Sequence, residues 1–127
     1  MDPSRIGMFA LAERRLAWLD QRQAVLAQNI ANADSPGYAA RDLVPFGTHL
    51  AHMLAPARTS PAHLAASGGS GERARAGRVA VERAPDGNAV QLEDQLLKVA
   101  DTDAAQLLVT GLVRKYATLV RTALGRS

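Results

Sequence analysis

The chain contains no cysteine, and aromatic residues make up only 4% of it. The missing cysteine excludes disulfides and thiolate chemistry, but it does not identify a cellular compartment. Hydrophobic residues account for 47% of the sequence, yet many of them are alanines, which bury little area per residue. A 127-residue chain of this kind forms one domain at most. We expect a thin core that gains order through self-association or a partner.

Long apolar runs are also missing. No run approaches the ~18 residues that a membrane-spanning helix needs. Near the N-terminus, Arg5 and the charged residues 13–15 occupy the positions where a signal peptide would have its apolar region. We therefore expect no membrane span and no cleaved signal, so that a location outside the cytoplasm would require export without one.

The sequence has no concentrated patch of positive charge. Its pI is about 10.0, but its net charge is only +3. Acidic and basic residues balance over residues 1–46, and no basic stripe with interleaved aromatics is present. A basic helical module that binds nucleic acid or anionic membrane is therefore an alternative from a different class, and we expect no nucleic-acid partner.

No catalytic constellation is recognisable. The carboxylates are scattered, no motif flanks a Ser-His-acid set, and no glycine-rich loop joins a strand to a helix. His49 and His52 are three residues apart, but no cysteine or carboxylate at ligand spacing joins them. We expect a protein that is not an enzyme and that holds no cofactor or metal.

The sequence does contain two long helical patterns. The first runs from about Ser4 to Ala31, with apolar positions at alternating spacings of three and four. This spacing suits a core-facing helix and one strand of a coiled coil equally well. The stripe consists of Phe9, Ala12, Leu16, Leu19, Gln23, Leu26 and Ile30.

The second pattern runs from about Val90 to Leu124, with acidic residues early and basic residues late, as the helix dipole favours. Helices of ~28 and ~35 residues would be ~42 and ~52 Å long. We predict a mainly α fold in which the two terminal helices pair as an antiparallel, coiled-coil-like hairpin. The second stripe consists of Leu97, Ala104, Leu108, Leu112, Tyr116, Leu119 and Ala123.

A run of special-purpose residues ends the first helix. Asn32 tolerates the left-handed conformation that often terminates helices. Pro36 followed by Gly37 predicts a type II turn with a positive φ at the glycine. Pro45 opposes both a helix and a central strand, so residues 39–46 are expected to form an extended arm.

The middle of the chain is rich in Ala, Gly, Ser, Pro and Arg and predicts an irregular segment. Some helix is possible over residues 47–54, and residues 78–82 alternate briefly like a strand. We therefore expect an inner α-domain made of residues 1–38 and 89–127, with an arm and a loop-rich middle over residues 39–88.

The stretch from Arg22 to Tyr38 resembles the N-terminal signature of bacterial flagellar axial proteins, the rod and hook family. Its core here is Asn29-x-x-Asn32-x-x-Ser35-Pro36-Gly37-Tyr38, where the family usually has Thr at the Ser35 position. The short proximal rod members are most similar, because Ala40-Arg41-Asp42 with Phe46, and Asp86-Gly87-Asn88 through Glu93, resemble theirs. The resemblance covers both terminal thirds of the chain and leaves residues 47–85 unmatched.

The resemblance implies a structural subunit of the proximal rod of the flagellar basal body. Such a subunit polymerises helically through its terminal helices to form the drive shaft and export channel. It is exported by the flagellar type III apparatus without a cleaved signal and lies in the periplasmic rod. The implied partners are further copies, other rod proteins, the basal-body adaptor with the MS ring region, and the export gate. The alternative within the family is a neighbouring proximal rod protein.

Three groups of residues are expected to carry assembly. The assembly motif is Asn29, Asn32, Ser35, Pro36, Gly37 and Tyr38. The arm contributes Arg41, Asp42 and Phe46. The helix stripes contribute Phe9, Leu16, Leu19, Leu26, Ile30, Leu97, Leu108, Leu112, Tyr116 and Leu119.

Overall fold

The computed structural model describes residues 3–54, 78–83 and 90–125, with side chains from residue 7 onward. The described part is mainly α, as predicted. The first and last residues of each terminal helix lie within about two residues of the predicted bounds. In chain order the elements are helix α1 (Pro3–Ala31), strand β1 (Arg41–Leu43), helix α2 (Phe46–Leu54), strand β2 (Val81–Arg83) and helix α3 (Leu92–Ala123).

Helices α1 and α3 pack together in antiparallel orientation, as contacts along their length demonstrate. Near the chain termini, the rings of Phe9 and Tyr116 meet edge to face with their centroids 5.5 Å apart. At the other end, Asn29 Nδ2 donates a hydrogen bond of 2.8 Å to Gln95 Oε1. Residue numbers thus rise along α1 as they fall along α3, which confirms the predicted hairpin.

The predicted stripe of α1 faces inward. Leu19 and Leu26 are 1% and 0% exposed. Leu16 packs against the core that contains Leu19, and Ile30 is half-buried at the end of the helix. A spacing of three and four places these residues on one side of the helix, which explains their common burial.

The predicted stripe of α3 is not the face that meets α1, and this corrects the simple two-stripe hairpin. Leu97 and Leu108 are 65% and 63% exposed, whereas Gln95 and Thr102 are buried. At ~100° per residue, the leucine stripe lies about a third of a turn away from the buried stripe. The covered face includes polar side chains, so a prediction based on hydrophobicity alone chose the other face. Within the predicted stripe, Tyr116 does contact α1.

The helix stop after α1 works differently from the expectation for Asn32. No non-glycine residue in the described ranges has a positive φ, so Asn32 is not left-handed. Its backbone N and its Nδ2 both donate to Gln28 O instead, at 3.1 and 2.9 Å. The turn that follows is as predicted: Tyr38 N donates to Ser35 O at 3.2 Å, and Gly37 has a φ of 75°.

The extended arm pairs with a second strand. Strands β1 and β2 are antiparallel, with Asp42 opposite Glu82 and Leu43 opposite Val81. The arm is one residue shorter than predicted, because Phe46 begins α2. Pro45 directly precedes that helix, where its missing N–H removes no intrahelical bond. The domain boundary predicted at residues 88–89 lies outside the described residues.

The core lies on the side of α1 that faces the arm. Trp18 Nε1 donates to Val44 O at 2.9 Å, and the Trp18 ring meets Phe46 at an angle of 66°. Gln21 brackets the backbone of Val79, donating to its O at 2.9 Å and accepting from its N at 3.1 Å. The core cluster is small, as the composition predicted, and consists of Trp18, Leu19, Val25, Leu43 and Val79.

Candidate assembly site

Asn29, the first residue of the predicted motif, is the point where α1, the arm and α3 meet. Its side chain is 0% exposed. Its Nδ2 donates to Arg41 O at 2.7 Å and to Gln95 Oε1 at 2.8 Å. Its Oδ1 accepts from Arg41 N at 3.0 Å and from the Tyr38 hydroxyl at 3.2 Å. Both amide hydrogens and both oxygen lone pairs are therefore used.

A second polar junction lies two turns earlier on α1. Arg22 Nε and Nη2 donate to the two carboxylate oxygens of Asp42, each at 3.0 Å. Arg22 Nη1 also donates to the Thr102 hydroxyl at 3.4 Å, and Lys98 Nζ lies 3.9 Å from Asp42 Oδ2. The two-point Arg–carboxylate geometry fixes orientation as well as attraction. The ion pair thus joins the arm to α1, and the flanking contacts reach α3.

Arginine–aromatic contacts hold the start of α2 against α1. The Arg15 guanidinium lies 4.8 Å from the Trp18 ring centroid and 5.0 Å from that of Phe46. Burial lowers the pKa of the Arg15 guanidinium, and the nearby charge of Arg22 lowers it further. The side chain nevertheless remains charged at neutral pH. Phe46, expected at the end of the arm, thus packs within its own chain.

The remaining motif residues form the exposed corner between helix and arm. Ser35, Pro36 and Gly37 are exposed, and Asn32 is half-buried. The Ser35 hydroxyl donates to Asn32 Oδ1 at 3.5 Å. These residues shape the backbone at the corner, whereas Asn29 and Tyr38 connect the corner to the helices.

The hairpin leaves a large apolar surface uncovered. Leu112 and Leu119, like Leu97 and Leu108, are more than half exposed, at 57% and 58%. Near the chain termini, an apolar groove of about 440 Å³ lies between α1, α3 and the start of α2. Phe9 lines it from α1 and Leu119 from α3, with Arg15 and Lys115 among its lining residues. An apolar surface of this extent is typical of a subunit that packs against other chains.

Charge is segregated along α3. Its first part, residues 92–103, carries four carboxylates and one lysine, whereas residues 104–125 carry three basic residues and no acidic one. The acidic part borders Leu97, and the basic part borders the groove. When one helix carries opposite charges at its two ends, contacts between copies are favoured in which the acidic end of one helix meets the basic end of another.

Several residues of the junctions were not predicted as site residues. Arg22 was noted only as part of the signature, and Gln95 and Thr102 lay outside the predicted stripe of α3. A signal does exist in the sequence: Arg22 and Asn29 are seven apart, and so are Gln95 and Thr102. A heptad interval between polar residues on each of two helices indicates facing polar pairs.

In the described ranges, the side chains form no group of three or more potential metal ligands. None of the described helices combines the length and the apolarity that crossing a membrane requires.

Comparison with known proteins places these features in a class. The family model described as "Flagella basal body rod protein" matches residues 9–38, which comprise most of α1 and the corner. The chain is 33% identical to the flagellar basal body rod protein FlgB of Agrobacterium fabrum, over 87% of each chain. It is 36% identical to FlgB of Escherichia coli and of Salmonella typhimurium, in each case over 64% of this chain and 66% of the relative.

The hairpin, the corner and these matches define the class as rod proteins of the bacterial flagellar basal body. Within that class, the chain belongs to the FlgB family.

Proposed function

We propose that the protein is a structural subunit of the proximal rod of the flagellar basal body and is not an enzyme. It polymerises helically through α1 and α3, and the assembled helices form the drive shaft and line the export channel. The observation that carries this proposal is the leucine stripe of α3, which remains 57–65% exposed after the hairpin has formed. Four exposed leucines on one face of a helix favour burial against another subunit.

The groove near the chain termini is the complementary surface, and we assign its occupant as the leucine face of α3 from a second copy. Lys115 at the groove carries the charge opposite to that of Asp101, which borders the leucine face. Leu97 and Leu108 of this face lie outside the groove, whose lining includes Leu112 and Leu119. The contact therefore joins two different parts of the chain, so it is heterologous and generates an open helical assembly.

The inner α-domain in this proposal comprises residues 1–38 and 89–127, and the arm and middle over residues 39–88 lie outside it. The motif from Asn29 to Tyr38 sets the direction of the arm, and Arg41, Asp42 and Phe46 hold it. The further partners are other rod proteins, the basal-body adaptor with the MS ring region, and the type III export gate. Export proceeds without a cleaved signal, and the subunit resides in the periplasmic rod.

The test is complementation in a strain that lacks the native copy. We expect the chain to restore swimming and to be present in isolated basal bodies, detected by immunoblot. A chain that restores swimming without entering basal bodies, or that does neither when well expressed, would contradict the proposal. Crosslinking within the isolated basal body distinguishes it from a neighbouring proximal rod protein, because the two have different neighbours.

A basic helical module that binds nucleic acid or anionic membrane makes a different prediction. Its binding would be strong at low salt and would weaken steeply as salt rises. We expect no binding to duplex DNA or to phosphatidylglycerol vesicles at low salt. Strong, salt-sensitive binding to either one would favour this alternative.

A further inference from the structure

The three buried polar side chains of the described residues lie in one place, between α1, β1 and α3. Asn29, Gln95 and Thr102 are 0%, 3% and 1% exposed. Every buried side-chain N or O atom in the described ranges has a hydrogen-bond partner. Apolar side chains of similar volume would often stabilise such a position equally well or better. The polar side chains therefore supply something besides stability.

The positions of these side chains repeat at the same interval on both helices. On α1, Arg22 and Asn29 are seven residues apart, and on α3 Gln95 and Thr102 are seven apart. Asn29 bonds Gln95, and Arg22 bonds Thr102. Seven residues span two helical turns, or ~10 Å. We call the two bonded pairs the polar rungs.

Each polar rung also holds the arm. Asn29 bonds both backbone groups of Arg41, and Arg22 bonds both carboxylate oxygens of Asp42. The arm is thereby attached to α1 at the two heights at which α1 is attached to α3. A shift of one helix along the other would break the attachment of both.

We propose that the polar rungs form a register lock, which allows α1 and α3 to pair in one axial register and fixes the arm to that register. A heptad-spaced apolar face tolerates a slip of seven residues, because leucines again meet apolar positions. After such a slip Asn29 would face Thr102, and Arg22 would face the apolar Val109. Single polar residues in heptad positions specify register in this way, at a cost in stability.

The test compares the unaltered full-length chain with the Asn29→Leu/Gln95→Leu double variant. Because the chain has no native cysteine, spin labels can be placed on Ala24→Cys in α1 and Leu107→Cys in α3, both exposed positions. We expect one interhelical distance in the unaltered chain. In the variant we expect a second population at a shorter distance, because an axial slip of ~10 Å brings residues 24 and 107 level with each other, and we expect unchanged helix content by circular dichroism.

Hydrogen exchange measures the attachment of the arm. The Val44 amide donates to Ala80 O at 2.9 Å and bonds no side chain of the rungs. We expect this amide to exchange at least about tenfold faster in the double variant, which corresponds to ~1.4 kcal/mol. A purely stabilising role for the rungs would instead change helix content and arm protection together.

The matched control is Gln106→Leu, because Gln106 Nε2 donates to Asp20 Oδ1 at 2.6 Å between the same helices without contacting the arm. We expect one distance and unchanged Val44 exchange in this control. Two distances in the unaltered chain, one unshifted distance in the double variant, or equal effects in the control would each overturn the register lock.

If the double variant does not fold, Gln95→Met is scored by the same criteria, since it keeps the side-chain length and removes only the amide. None of these measurements depends on swimming, so the register lock can fail while the proposed function stands, and the reverse also holds.

Discussion

At the residue scale, the corner after α1 depends on one glycine. Gly37 has a φ of 75°, and a Cβ built at this position would meet nothing within 4 Å. A side chain there would therefore be opposed by the backbone conformation and not by a clash. The left-handed conformation costs an L-residue ~1–2 kcal/mol. The corner determines where the arm begins. A side chain that moves Gly37 out of this conformation is therefore expected to change the direction of the arm.

We predict that Gly37→Val leaves the helix content largely intact and blocks assembly into rods, because the valine displaces the corner while α1 and α3 still pair. Circular dichroism measures the first effect, and swimming with basal-body immunoblots measures the second. Gly111→Ala is the control: Gly111 has no positive φ and lies exposed within α3. There the alanine should stabilise the helix by up to ~1 kcal/mol. Rod assembly by Gly37→Val would mean that the corner only ends the helix.

The ion pair of the arm gives a second prediction at this scale. Asp42→Asn removes the carboxylate that Arg22 contacts at two points and that Lys98 approaches. The side chains of Arg22 and Asp42 are 20% and 22% exposed, so solvent screens the pair only in part. We expect a loss of ~1–2 kcal/mol in the free energy of unfolding, measured in urea.

The control for this variant is Asp34→Asn, which alters an exposed carboxylate at the corner. It should change stability by less than ~0.5 kcal/mol. Equal losses for the two variants would mean that net charge, and not the Arg22 contact, determines the effect.

The corner was predictable from the sequence because its information is local. Pro36 and Gly37 restrict their own backbone angles, and the observed turn follows directly. The role of Asn29 was not predictable in the same way, since Gln95 lies 66 residues further along the chain. The stretch that contains Asn29 resembles a family signature, which marked this residue as important. Only the folded hairpin reveals which groups Asn29 bonds.

At the element scale, the two helices differ in how many apolar faces they have. Helix α1 has one dominant apolar face, and Leu19 and Leu26 of its predicted stripe lie buried on that face. Helix α3 has two, and periodicity selected the more hydrophobic of them. The face that meets α1 carries Gln95 and Thr102, whose partners become known only when the arm and α1 are in place. Hydropathy cannot rank a covered face that carries polar side chains above an exposed face that is more apolar.

This difference predicts opposite behaviour for two similar substitutions. Leu19 is 1% exposed, so Leu19→Asp places a carboxylate in the core and should cost at least ~3 kcal/mol, which unfolds the hairpin. Leu108 is 63% exposed, so Leu108→Asp should leave the fold intact and abolish rod assembly. Circular dichroism with urea titration separates the two outcomes, and swimming should be lost in both.

Leu92→Asp is the matched control for Leu108→Asp. Leu92 is 49% exposed and lies on the same helix, but away from the leucine stripe. At the first turn of α3 a carboxylate also interacts favourably with the helix dipole. Normal swimming of Leu108→Asp, or equal loss in Leu92→Asp, would contradict the assignment of the stripe as an assembly surface.

At the scale of the whole molecule, the fold combines a small core with a large uncovered apolar surface and a charge that reverses along α3. The core joins α1 to the arm and β2, whereas no side chain is fully buried among the described residues near the chain termini, where Phe9 meets Tyr116. The groove lies at this end. The subunit is therefore most firmly built where the arm attaches and most open where we propose that another copy binds.

The proposed contact between copies predicts a charge-reversal rescue. Lys115→Glu at the groove and Asp101→Lys beside the leucine face should each weaken self-association roughly tenfold, because each converts an attraction of ~0.2–1 kcal/mol into a repulsion of similar size. Sedimentation velocity over a concentration series measures the effect, which should shrink as salt rises. The double variant should associate more tightly than either single variant, since the exchanged charges again attract.

Arg114→Glu is the control, because it changes the same charge one residue away from the groove lining and should have little effect. If the double variant is weaker than both single variants, the basic and acidic ends do not meet, and the groove has a different occupant.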